Sequence, residues 1–174
     1  MKKFLLIKSI LLFVIGVLII FLTPQFVEHL RFCVSAIMMI YGVLEIVHAI
    51  LNDKHFYEYY SFYYGAVETF LGLATIIFVK DFVVVCVIWA VWSILRETFE
   101  IMAVASGEEK GVLAVLSMIE TAVVFALSVE MLANPGEHSA LTHTYLLIVE
   151  LFLTSGTILF ETFFEKRKEK IEHE

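Results

Sequence analysis

The sequence predicts an all-α, polytopic membrane protein: six transmembrane helices forming three repeated helical hairpins, with both termini cytoplasmic. Three observations predict it. The first is composition: of 174 residues, 60% are hydrophobic and 18% charged, with sixteen phenylalanines and two prolines, and the mean hydropathy is +0.89. A soluble domain of this size has no interior large enough for that apolar surface, whereas a bilayer accommodates it. The second is a series of six apolar runs, each near the roughly twenty residues a helix needs to cross. The third is the placement of lysine and arginine, which collect at one end of those runs.

The first run, about 4–22, follows a basic start like that of a signal peptide. It lacks a small-x-small cleavage site and carries Lys8 within the run, so it is expected to stay as a first helix. The others fall at about 27–51, 57–79, 82–105, 111–133 and 141–165. Turn residues punctuate them: TPQ at 23–25, NDKH at 52–55, KD at 80–81, SGEEKG at 106–111 and ANPGEHS at 133–139. Short connections make neighbouring helices antiparallel and adjacent, so the expected unit is the hairpin. The transmembrane domain covers 1–165, in hairpins of about 4–51, 57–105 and 111–165, and 166–174 is a charged cytoplasmic tail continuing the last helix.

Placing both termini inside puts Lys2, Lys3, Lys54, Lys110, Lys166, Arg167, Lys168 and Lys170 on the cytoplasmic side and leaves Arg31 and Lys80 outside. The expected location is therefore the cell (inner or plasma) membrane, with multiple passes. HFYEYYSFYYG at 55–65 then forms an aromatic belt at the inner interface, where apolar rings keep their hydroxyls wet.

The composition also excludes functions. Net charge is −7 and the bases lie mostly in loops and tails, so no basic stripe exists to follow a phosphate backbone, and nucleic acid is not an expected partner. Cys33 and Cys86 lie in apolar runs at a spacing that fits no zinc or redox motif, and read as packed thiols. There is no GxSxG, HExxH or glycine-rich phosphate loop, so the protein is expected not to be an enzyme and to need no cofactor. Ser155 and Thr154 beside Gly156 read instead as a small-residue helix contact.

What remains unusual is SILRETFE at 93–100, charged residues inside an apolar run. Each charge at a helix centre opposes insertion by about 2.5–3.5 kcal/mol on translocon scales, so something must offset it. The phrase has an echo in TILFETFFE at 157–165, which pairs Glu97 with Glu161 and Arg96 with Phe160. Val67-Glu68-Thr69 likewise matches Ile119-Glu120-Thr121, and YGVLEIVHAI at 41–50 can be laid on WSILRETFEI at 92–101 with Glu45 opposite Arg96. Self-similarity of this kind marks duplicated membrane folds.

Counted from the helix ends, most of the acids share the inner half of the membrane, while Glu150 lies beyond the middle and Glu130 near the outer end. Glu68, Arg96, Glu97, Glu100, Glu120 and Glu161 are the candidate proton- or cation-binding residues. They either line a polar cavity open to the cytoplasm or hold the helices together by hydrogen bonds. Glu45-x-x-His48 is the spacing of a bundle metal ligand pair, with Glu97-x-x-Glu100 as the nearest second copy. His29, His138 and His143 fall toward the outer side and His55 and His173 toward the inner, and read as scattered surface histidines.

Gly16 followed by VLIIFLTP to Pro24, IMMIYGVLEIVHAI at 37–50, and Gly65 with Gly72 in GAVETFLGLATIIF carry a family likeness over nearly the whole chain. The chain resembles the HdeD-type acid-resistance membrane proteins. The resemblance implies a six-helix inner-membrane fold and a non-enzymatic role in acid or envelope stress, with no catalytic residues to carry over. The expected partners are the lipid bilayer and protons or cations, with self-association to a homo-oligomer left open. Two other readings stay beside it: a cation or metal transporter or channel, and a structural subunit of a membrane complex.

Overall fold

The computed structural model describes residues 2–52, 60–105 and 112–172. Six helices follow one another: α1 (Lys2–Glu28), α2 (Leu30–Asn52), α3 (Tyr60–Phe78), α4 (Phe82–Ala105), α5 (Val112–Ala133) and α6 (Glu137–Glu172). Among the described residues, four stretches are long and apolar enough to cross a membrane: Lys3–Glu28, Leu30–Leu51, Ser61–Phe78 and Glu137–Phe160. Phe21, Phe70 and Phe78 turn outward at 77%, 71% and 79% exposure, as side chains that meet lipid do.

The expected break at 23–25 lies inside a helix. Pro24 lacks the N–H that would reach the Ile20 carbonyl, and its ring crowds that carbonyl, so α1 kinks at Leu22 (φ −112°, ψ 17°) instead of ending. The Thr23 hydroxyl takes over part of the freed bonding, donating to Ile19 O at 2.7 Å and approaching Ile20 O at 3.3 Å. α1 continues to Glu28, leaving His29 between it and α2. The other two turns at this end agree better with expectation. Asp81 accepts a bond from the Val84 N–H at 3.1 Å at the start of α4, and Ser139 accepts from the Gly136 N–H at 3.1 Å while donating to the Asn134 carbonyl at 2.8 Å. The connections at 53–59 and 106–111, with much of the aromatic belt, lie outside the described residues.

The hairpin is not the closest packing unit. Each even-numbered helix packs most closely on the odd-numbered helix of the next hairpin: α2 on α3, α4 on α5, and α6 back on α1. Small residues permit these approaches. A Cβ on Gly42 of α2 would come within 2.5 Å of the Gly65 carbonyl of α3, and one on Gly72 within 2.7 Å of the Ser35 carbonyl. Where α6 meets α1, Ser9 and Ser155 exchange bonds, each hydroxyl within 3.0 Å of the other's carbonyl. Ser155 is thus the helix contact its surroundings suggested, but Gly156 faces open space.

The core lies along α2, α4 and α6, with Val34, Met38, Tyr41, Val85, Cys86, Trp89, Leu147 and Leu151 among its buried side chains. Both cysteines are free, Cys86 buried and Cys33 half-buried. The three even helices meet around Arg96, and this meeting point positions the site.

Candidate functional site

Arg96 pairs with Glu150 of α6, and its guanidinium carbon lies 4.0 Å from the centre of the Tyr41 ring of α2 and 5.8 Å from that of Trp92. Charge, hydrogen bonding and the two aromatic faces together offset the desolvation of a guanidinium that is 13% exposed. One turn before Arg96 on α4, the Trp92 indole N–H donates to Glu68 Oε1 of α3 at 2.7 Å, and the Tyr64 hydroxyl reaches the same carboxyl group. Glu68 is 2% exposed, and its direct partners are these two neutral donors.

A second ion pair lies nearer the end that carries the chain termini. Lys8 of α1 donates to Glu45 Oε1 of α2 at 2.8 Å, with side chains 10% and 24% exposed. Beside it, Phe4 stacks on His48, ring centres 6.2 Å apart and planes 19° from parallel. Glu45 and His48 do share a face, as their spacing requires, but that face is occupied by Lys8 and Phe4. Among the described residues, no group of three or more histidine, cysteine or acidic side chains could hold a metal ion.

Toward the turn end, the Ser93 hydroxyl and His143 Nε2 are 3.2 Å apart, and the His143 ring stands edge-on to Trp89 at 4.8 Å. His143 is 3% exposed, so the expectation of a surface histidine is corrected. Counting residues from the α5–α6 turn places it at the right level but leaves its direction open. Six residues into α6, it points at α4 rather than outward.

The predicted site residues therefore divide. Glu68 and Arg96 come together with Glu150, while Glu97, 4% exposed, follows Arg96 on α4 but leaves the helix about 100° around from it. Glu120 is half-buried on α5. The side chains of Glu100 and Glu161 lie outside the described residues. The echo at 157–165 does not sit level with SILRETFE: Arg96 meets Glu150 and not Phe160, ten positions on, and Ser93 meets His143 and not Thr157, fourteen positions on. At 1.5 Å per residue that is about 15–20 Å along the helix. The offset between α2 and α4 does hold, since Tyr41 stacks against Trp92 with ring centres 6.1 Å apart. Tyr41, Trp92 and Glu150 complete the cluster, and Lys8 and His143 make the polar contacts on either side of it, without having been singled out for these places. The signal for Lys8 was present, because a lone cation inside an apolar run requires a counter-charge at matching depth.

Residues 7–78 match the family described as "Short repeat of unknown function (DUF308)". The match spans most of α1, all of α2 and all of α3, and so includes the glycine-mediated α2–α3 contact. No curated protein and no solved structure matches the chain.

Proposed function

We propose that the chain is a non-enzymatic integral membrane protein of HdeD-like type, acting in acid or envelope stress by exchanging a proton at the buried cluster around Arg96. In this reading all six helices span the inner membrane as three hairpin repeats, with both termini cytoplasmic.

The observation that carries the proposal is the pairing at Arg96. One cation serves two acids: Glu150 is its direct partner, while Glu68 is held beside it by an indole and a phenol. With Glu150 and Arg96 both ionised, a protonated Glu68 leaves this group of three neutral, and an ionised one leaves it with a net negative charge. Two states of similar packing that differ by one proton are what a proton-responsive membrane protein requires.

Proton movement into liposomes carrying the purified protein, driven by an imposed pH gradient, tests this. The wild type should pass or take up protons above the level of empty liposomes, and Glu68→Gln should not. Equal behaviour of the two would end the reading. A second reading, a structural subunit of a membrane complex, is favoured by the internal pairing of Lys8 with Glu45 and Arg96 with Glu150. It expects Glu68→Gln to change nothing but the heat stability of the purified protein.

A further inference from the structure

A cleft of about 410 Å³ opens at the turn end of the bundle, between the α1–α2 turn and the α3–α4 turn. Its walls are Glu28, His29, Arg31, Phe32, Lys80, Phe82 and Val85. Arg31 and Lys80 are the cations that the charge distribution leaves on the outer side, and the fold brings both, from different hairpins, to this one depression.

Arg31 is held in place rather than loose. It donates from Nη1 to the Val79 carbonyl at 3.1 Å and its guanidinium carbon stands 4.4 Å from the centre of the Phe32 ring. A guanidinium has five N–H donors, so one bond to a carbonyl leaves others for an anion. Of the acids at this end, Asp81 is turned to the Val84 N–H, and Glu28 is in the cleft wall. Arg31 and Lys80 together outnumber Glu28, the one acid of the lining. The exposed rings are the second half of the observation: Phe32, in the cleft wall, is 50% exposed, and Phe78, outside the lining and two residues before Lys80 at the end of α3, is 79% exposed.

We infer that this cleft binds the headgroup phosphate of an anionic phospholipid, with the glycerol and the first carbons of the acyl chains lying along Phe32 and Phe78. A soluble anion would use Arg31 and Lys80 but would leave the exposed rings without a role. A lipid uses both, because its charge sits at the depth where the helices end and its chains continue down their outer faces. The inference goes beyond the proton exchange proposed above and requires of that proposal only that the protein sits in a membrane.

The experiment is native mass spectrometry of the full chain in a neutral detergent, titrated with phosphatidylglycerol. Each cation near an anionic headgroup contributes enough that its removal should weaken binding roughly five-fold, so Lys80→Ala, at an exposed position, is expected to lose that much and Arg31→Ala/Lys80→Ala more. Glu28→Gln is expected to tighten binding, a gain that misfolding cannot produce. Unchanged affinity in both the double variant and Glu28→Gln overturns the site. Displacement of the lipid by inorganic phosphate at equal concentration overturns the lipid as its ligand.

Discussion

Lys8 and Glu45 show how a buried pair should behave under substitution. Both side chains are at least three-quarters covered, so removing one partner strands a charge, at a cost of about 3–5 kcal/mol, whereas replacing both by apolar side chains of similar volume is often nearly neutral. Lys8→Met and Glu45→Met should therefore each destabilise the purified protein strongly, and the double variant should recover most of the loss, as read from the denaturant or heat midpoint in detergent. Additive losses would show that the two act independently. The pair was half visible in the sequence: both residues lay in apolar runs, but nothing in a one-dimensional reading aligns position 8 with position 45. His143 was hidden for a related reason, since depth follows from residue counting and facing does not.

Among the elements, the α2–α3 contact makes the sharpest demand on sequence. Gly42, Gly65 and Gly72 lie where a Cβ would strike backbone of the opposite helix, and backbone cannot rotate away as a side chain can. Gly42→Val should cost at least the roughly 1–3 kcal/mol typical of overpacking. Gly156→Ala, which meets nothing within 4 Å, should be neutral or stabilise by up to about 1 kcal/mol through helix propensity. Thermal midpoints in detergent measure both, and similar midpoints for the two variants would refute the close approach. Helix existence was legible because apolar runs of membrane-spanning length have few alternatives. The end of α1 was not: TPQ carries the signs of a turn, yet a proline can be absorbed as a kink when a neighbouring hydroxyl serves the freed carbonyls, as Thr23 does. The level of the echo of SILRETFE was illegible for another reason. A match such as S/T-I-L or E-T-F pairs residues by type, and it carries no information about their level along the packed helices.

For the whole molecule, the consequence is closure. A chain of three hairpins could lie in a row, with its first and last helices far apart. Here α6 returns to α1, and the Ser9 and Ser155 hydroxyl oxygens stand 3.0 Å apart. In a background with Cys33 and Cys86 replaced by alanine, Ser9→Cys/Ser155→Cys should form an intramolecular disulfide on mild oxidation, seen as a reducible shift in gel mobility of the monomer. Crosslinks between molecules alone would argue for an open row. Short connections specify which helices are antiparallel, but the partner across each boundary depends on where the small residues lie, and that requires the helix faces to be known.

Closure is also what gathers Tyr41, Glu68, Arg96 and Glu150 from four helices into one place. The central claim is that this gathered cluster exchanges a proton at Glu68. Infrared difference spectroscopy of the protein in lipid nanodiscs, stepped from neutral to acid pH, observes the carbonyl stretch of a protonated carboxylic acid directly. The wild type should show such a band, with an amplitude that changes with pH, and Glu68→Gln should lack it. A band of the same size and pH dependence in both proteins, or none in either, would contradict it.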